Sequence, residues 1–572
     1  MSQPRARRID VASLRGLLEA GAELALLDVR EQGVHARGHP FFAVSAPLSR
    51  LELLAPALLP RAGLPVVLLD DGRIRGAADV ADGDAALAER AARVLVRLGY
   101  RDLAILDGGC AAWAAAGHEV FTGINVPSKA FGEFVEHHEE TPRIAPGELQ
   151  AMIDAGESVL ILDSRPIEEF ERMNIPGAID TPGAELAWRV HDLAPDPATT
   201  VVVNCAGRTR SIIGCQSLRN AGIANRVVAL KDGTMGWELA GMQCERGSRR
   251  EAPAPSAQGA ARARAAAQRV ADRFDVGFVD AATVQQWQAD ESRALYLLDV
   301  RGPAEFRAQH IVGSRNAPGG QLVQATDAYI AARAARIVLV DPEQVRAVMT
   351  ASWLNQMGLP DVHVLRSEGV DGFAGWETAS GATTAPVAAG ALAASQAQAG
   401  PGGPAMPAVP AVPSWREIAP EELATRLADP GVAVLDLASS LRHRDRHVAG
   451  AWWGVRSRLD QARNALAALP ALRELVLTAD DPALARLAAP EAAALWPGIE
   501  VVVLAGGNPA WFEARLPIGT GLDRATCPTD DVWYRPYDHV TDYEHHARAY
   551  LEWEVGLVDQ ITRDPTIRFR RY

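Results

Sequence analysis

One phrase recurs four times along the chain and limits what it can fold into. "LLDVR" ends at Arg30, "ILDSR" at Arg165, "LLDVR" at Arg301 and "VLDLA" at Ala438. The aspartates Asp28, Asp163, Asp299 and Asp436 are therefore 135, 136 and 137 residues apart. Eleven positions after them stand His39, Asn174, His310 and His447, and three further on Phe42, Gly177, Gly313 and Gly450. Each copy continues with a second apolar run: "PVVLLD", "TVVVNC", "RIVLVD" and "ELVLTA". Each closes on a Gly-rich turn leading to a tryptophan: Trp113, Trp237, Trp376 and Trp511. Landmarks at fixed offsets in four copies mark an internal repeat, not chance likeness among alanine-rich helices.

The repeated runs are short, valine-rich and bounded by turn residues, as buried strands of a parallel sheet are. Helical patterns follow them, so each copy predicts a small α/β domain with a parallel sheet and helices on both faces. The expected domains are 1–122, 141–246, 272–379 and 414–520, with linkers at 247–271 and 380–413. The second linker is rich in Pro, Gly and Ala and cannot build a core. The shorter apolar stretch from Gly123 predicts that the first two domains pack together. Residues 521–572 form an aromatic, charged appendage expected on the fourth domain, with a helix near "DYEHHARAYLEWEVGLV".

Net charge of −14 argues against a nucleic-acid partner. No segment has the roughly 18–20 apolar residues that span a bilayer, and the start has no secretory pattern. Five scattered cysteines without a CxxC pair suggest neither a disulfide framework nor a zinc site, and a reducing cytoplasm is expected. The adjacent pairs His137–His138 and His545–His546 do not share one helix face. No metal and no cofactor is expected.

One cysteine stands out. Cys205 ends the strand "TVVVN" and opens the turn "CAGRTR", with Arg208 and Arg210 close behind. A residue there lies outside the carboxyl end of a parallel strand, where open α/β sheets bind ligands. If Ala206, Gly207, Arg208, Thr209 and Arg210 curl round the sulfur, their amides form an anion nest, and the helix that follows adds its positive end. These terms favour thiolate over thiol. The other cysteines, Cys110, Cys215, Cys244 and Cys527, are expected to be ordinary packing residues.

"LDSRPIEEFERMNIPGAI" from Leu162 resembles the rhodanese-domain signature of Asp-x-Arg, then Glu-Phe, then Gly-His-Ile-x-Gly-Ala, with Asn174 in place of the histidine. "CAGRTRS" resembles that family's active-site loop, and the Gly-turn-Trp its C-terminal signature. The resemblance covers nearly the whole chain as four tandem domains. It implies a sulfurtransferase in which Cys205 takes a sulfane sulfur from thiosulfate or a similar donor and passes it to a thiol, cyanide or protein thiol. Arg208 and Arg210 would bind the donor's sulfonate, while Asp163 and Arg165 would brace the domain internally.

Alignment of the second runs puts Asp70, Asp341 and Ala479 at the Cys205 position, although the first copy keeps Gly72, Arg73 and Arg75. Three copies therefore lack the nucleophile. Two other readings stay open. A persulfide-carrying or partner-docking scaffold would not turn over. A phosphatase or arsenate reductase needs five residues between Cys and Arg, and here four separate Cys205 from Arg210.

Overall fold

The strand that carries each repeated aspartate runs parallel to the second apolar run, and the register is the same in all four copies. Leu69, Asn204, Val340 and Thr478 face Asp28, Asp163, Asp299 and Asp436. The next residues are Asp70, Cys205, Asp341 and Ala479, so the sequence alignment of these positions holds in three dimensions. The computed structural model describes residues 6–72, 87–367, 372–381 and 413–572. Arg73, Arg75 and most of the 380–413 segment lie outside them.

In the second domain the sheet order is Arg143–Ile144, Val227–Leu230, Thr200–Asn204, Val159–Asp163 and Ile179–Asp180, all parallel. The third and fourth domains repeat that order. The first does too, and Ala332–Arg333 of the third domain adds an antiparallel strand beside Leu24–Asp28. Alternate strand residues serve two cores. Ile161, Val202 and Val228 face one side, and Leu162, Val201 and Val203 the other, as the period of two in a strand requires.

The repeated motifs brace each unit. Arg165 grips Asp163 through Nε at 2.8 Å and Nη2 at 2.7 Å, and Nη2 also donates to the Met173 carbonyl at 2.6 Å. Arg30 and Arg301 repeat this on Asp28 and Asp299. In the fourth copy, where Ala438 replaces the arginine, His443 Nδ1 meets Asp436 at 2.8 Å instead. Asn174 Nδ2 donates to the Phe170 carbonyl at 3.1 Å, the i−4 bond that His310 and His447 make with their Nδ1. An amide nitrogen replaces an imidazole nitrogen there without loss of the contact. Trp113, Trp237 and Trp511 are buried, and each donates its indole N–H to a carbonyl six residues on. Trp376 departs from the pattern: it is half-buried, and Phe373 takes the core position.

Two expectations are corrected. Residues 247–271 are no loose linker, because Ala257–Arg273 is one helix capped by Ser256. Its buried Ala260, Ala263, Ala267, Val270 and Ala271 make a stripe at helical spacing. Small side chains let it sit close between the helices Glu185–Leu193 and Val345–Gln356, and each buried methyl contributes about 0.8 kcal/mol. The first three domains consequently share one continuous core, which also takes in Phe131 and Val135 of helix Val126–Glu139.

The tail, expected on the fourth domain, meets that domain along its first part. Asp531 accepts from the Ser440 amide at 2.9 Å, and Arg444 donates to the Asp538 carbonyl at 2.6 Å. Helix Tyr543–Arg563 then leaves it and packs on helix Val126–Glu139, with Trp553 donating to the Thr122 carbonyl at 3.0 Å. The end reaches the third domain, where the Arg570 amide donates to Gln356 at 2.7 Å. Its apolar positions (Ala547, Leu557 and Ile561) are buried against other domains.

Candidate active site

Strand Thr200–Asn204 delivers Cys205 to its end, and helix Thr209–Ala221 starts four residues later. Cys205 is 2% exposed. Its Sγ accepts a hydrogen bond from Ser211 Oγ at 2.9 Å. The turn is pinned from behind by the domain-closing motif: the Thr234 amide donates to the Cys205 carbonyl at 2.8 Å and the Met235 amide to Ala206 at 3.0 Å. Gly233 permits this approach, since its φ is +59° and a Cβ there would stand 2.3 Å from the Cys205 carbonyl oxygen. The amides of Ala206, Gly207, Arg208, Thr209 and Arg210 have no protein acceptor among the described residues. Unspent donors at a helix start favour an anion.

The two arginines part company. Arg208, which lines the same cavity as Cys205, spends its donors on Glu133, at 2.8 and 2.6 Å, on Glu136 and on Asp232. These bonds tie the turn to helix Val126–Glu139. Arg210 pairs with Glu169 at 2.9 and 2.7 Å. Burial works against its charge, but Glu169 and the nearby Cys205 sulfur outweigh that and push its pKa up.

The Cys-less copies show what this turn holds. In the third domain the Asp341 carboxylate accepts from the amides of Arg346 at 2.8 Å, Glu343 at 3.3 Å and Ala347 at 3.3 Å. Arg346 Nη2 donates to it at 2.9 Å, and Nη1 to Glu305 at 2.7 Å. Arg346 and Glu305 stand where Arg210 and Glu169 stand in the second domain. In the first domain Asp70 accepts from the amides of Gly72 at 2.9 Å and Ala88 at 3.1 Å. Two of the three Cys-less copies thus carry a carboxyl group at the Cys205 position, and the fourth domain has Ala479 there.

The tail contributes residues that local patterns did not reveal. Glu554, fully buried, accepts from Thr209 Oγ1 at 3.2 Å and Tyr550 OH at 2.9 Å and pairs with Lys129 at 2.8 Å. Ala547 packs on Ala206 and Met235. The Tyr550 ring lies over Gly207, where a Cβ would be 3.3 Å from it. Cys205, Arg210, Tyr550, Arg535 and Tyr537 all open on a cavity of about 3080 Å³ between the domains.

A family model for the rhodanese-like domain matches residues 10–116, 145–240 and 280–379, just over half of the chain. The chain belongs to the rhodanese-domain sulfurtransferase family. The fourth rhodanese-like unit is recognised by its sheet, which repeats the order of the other three. The whole chain is similar to the crystal structure of a thiosulfate sulfurtransferase from Pseudomonas aeruginosa, at 45% identity and a TM-score of 0.86, covering 99% of both chains. A putative thiosulfate sulfurtransferase, SseB of Mycobacterium tuberculosis, is 28% identical over 214 residues, 31% of this chain and 71% of that protein. The HTH-type transcriptional regulator Rv0324 of Mycobacterium tuberculosis is 39% identical over 106 residues, and this chain spans 45% of its length.

Cys215 is buried, and Cys110, Cys244 and Cys527 are half-buried. Burial pushes the thiols of Cys215 and Cys244 up to about 12, and those of Cys110 and Cys527 upward as well. Among the described residues no helix is long and apolar enough to cross a membrane.

Proposed function

We propose that this rhodanese-type enzyme moves sulfane sulfur through a persulfide on Cys205. The Cys205 thiolate attacks the outer sulfur of thiosulfate or a like donor. The sulfur–sulfur bond of the donor breaks, its electron pair leaves with sulfite, and Cys205 carries a persulfide anion. A thiophilic acceptor such as cyanide or a thiol then attacks the outer sulfur, takes it, and returns the thiolate. This is a ping-pong transfer with a covalent intermediate.

The observation that carries this reading is the Asp341 carboxylate in its ring of amides. A carboxylate oxygen is two bonds from Cβ, and so is the outer sulfur of a cysteine persulfide. Asp341 thus stands in for the charged intermediate in the corresponding turn of the third domain. In the second domain the amides of Gly207, Arg210 and Ser211 hold the corresponding places, and Arg210 takes that of Arg346. Such preorganised donors act on charge without reorganising. Ser211 supplies a further donor to Sγ.

Intact-mass measurement after exposure to thiosulfate tests the reading. The chain should gain the mass of one sulfur atom, mapped to Cys205 and lost on adding cyanide. Cys205→Ala should gain nothing and turn over no thiosulfate. An adduct elsewhere, or equal turnover by the variant, sinks the assignment.

A further inference from the structure

The tail brings to the Cys205 turn a cation that no repeat encodes. Both arginines of the turn are already matched by carboxylates: Arg208 by Glu133, Glu136 and Asp232, and Arg210 by Glu169. A dianionic donor entering the cavity therefore meets little uncompensated positive charge from the turn itself. Among the described residues Arg535 forms no such ion pair, although the Glu169 and Asp538 carboxylates act on its charge from farther off. Its Nη1 donates to Tyr537 OH at 2.6 Å, and among the described residues no carboxylate stands within ion-pair distance, 4.0 Å, of its guanidinium. It is half-buried and opens on the same cavity as Cys205, Arg210 and Tyr550.

Two charge effects and the packing of its segment relate Arg535 to the sulfur's surroundings. Its charge helps hold the Glu169 carboxylate ionised, and Glu169 is the partner of Arg210. It acts on the Tyr550 hydroxyl, whose ring covers Gly207. The segment is also anchored at both ends. The Arg535 amide donates to Asp538 Oδ2 at 3.1 Å, and Trp533 packs with its ring centroid 5.8 Å from that of Tyr550. A guanidinium held in place, hydrogen-bonded to a neutral phenol and facing a cavity, suits a planar set of anionic oxygens.

We propose that Arg535 binds the sulfonate end of the donor while its outer sulfur faces Cys205. The tail is thereby part of the donor site, and the leaving sulfite departs against a fixed positive charge. The Tyr537 hydroxyl, already bonded to Arg535, is the neighbouring polar group at that end. This assignment rests on the persulfide reading above.

Ping-pong kinetics test it on the full chain, with thiosulfate and cyanide as probes, because each kcat/KM reports its own half-reaction. Arg535→Ala should lower kcat/KM for thiosulfate by roughly 10- to 100-fold, the range for losing a hydrogen bond to a charged group. The value for cyanide should stay within about twofold, since that step begins after sulfite has left. Arg535→Lys should recover part of the loss and serves if the alanine variant does not fold. Thiosulfate values unchanged in both variants, or equal losses for both probes, overturn the assignment while leaving the persulfide intact. A wild-type chain that takes no sulfur on Cys205 overturns the underlying reading, and this one with it.

Discussion

Ser211 Oγ donates to Cys205 Sγ at 2.9 Å from the first turn of the helix that begins at Thr209. Ser211 is buried, 1% exposed. Its bond strengthens as the sulfur gains negative charge. Ser211→Ala should lower kcat/KM for thiosulfate about fivefold to tenfold, the equivalent of about 1–1.4 kcal/mol. Steady-state kinetics measure it, with a melting curve to show that the fold is kept. An unchanged rate would leave the hydroxyl no part beyond its place in the helix.

Arg210 and Glu169 form a pair that the third domain repeats as Arg346 and Glu305. Burial opposes the Glu169 charge, but Arg210 outweighs it and holds the carboxyl well below its usual range. A depressed carboxyl stabilises the fold above its unfolded value near 4.5 and loses that contribution as pH falls through the folded value. Glu169→Gln should therefore cost most at neutral pH, about 1–2 kcal/mol for stranding one member of a half-buried pair. The gap to wild type should narrow as the solution is acidified. Denaturant melts at several pH values read both quantities, and a pH-independent gap would show that the carboxylate is not ionised in the folded protein.

What the sequence conveyed and what it hid divide along contact distance. The position of Cys205 was legible because strand register preserves the offset from Asp163: Cys205 directly follows Asn204, which pairs with Asp163 on the neighbouring strand. The partners of Arg208 were not, because Glu133 and Glu136 lie on a helix before the domain, and a Gly/Arg turn says nothing of which carboxylates will meet it. The tail was harder still: Thr209 and Glu554 are 345 residues apart, and no periodicity links them. The linker helix did leave a trace. Its alanines at 260, 263, 267 and 271 keep helical spacing, but alanine-rich composition beside Pro and Gly masks such a stripe.

Domains two and three meet backbone to backbone at Gly183 and Gly320. A Cβ added to Gly320 would stand 2.8 Å from the Gly183 nitrogen and 2.9 Å from its Cα. Neither atom belongs to a flexible side chain that could swing aside, so Gly320→Ala must push the two domains apart. The expected cost is about 1–3 kcal/mol. Gly147→Ala is the control: it lies in helix Pro146–Asp154 with nothing within 4 Å of the new Cβ, and should gain about 0.5–1 kcal/mol. Calorimetric melting temperatures compare the two. Equal behaviour would mean that the close approach is not maintained in solution.

Asp180 pairs in register with Asp163 at the edge of the second sheet, 4% exposed, and its Oδ1 has no hydrogen-bond partner. Burial pushes its carboxyl up to about 8, and the charges of Asp163 and Glu251 add to the effect. The sign is opposite to that of Glu169. Between the ordinary carboxyl value of 3.8 and about 8, the folded state holds a proton that the unfolded state releases, so stability falls as pH rises. Asp180→Asn keeps the shape and removes the titration. The variant should match wild type near pH 4 and exceed it increasingly toward pH 8, by an amount on the order of 1–3 kcal/mol, the cost of a buried unsatisfied polar group. Melting curves across that range decide it: parallel curves would mean that Asp180 is ionised at neutral pH and finds its compensation in the nearby Arg165.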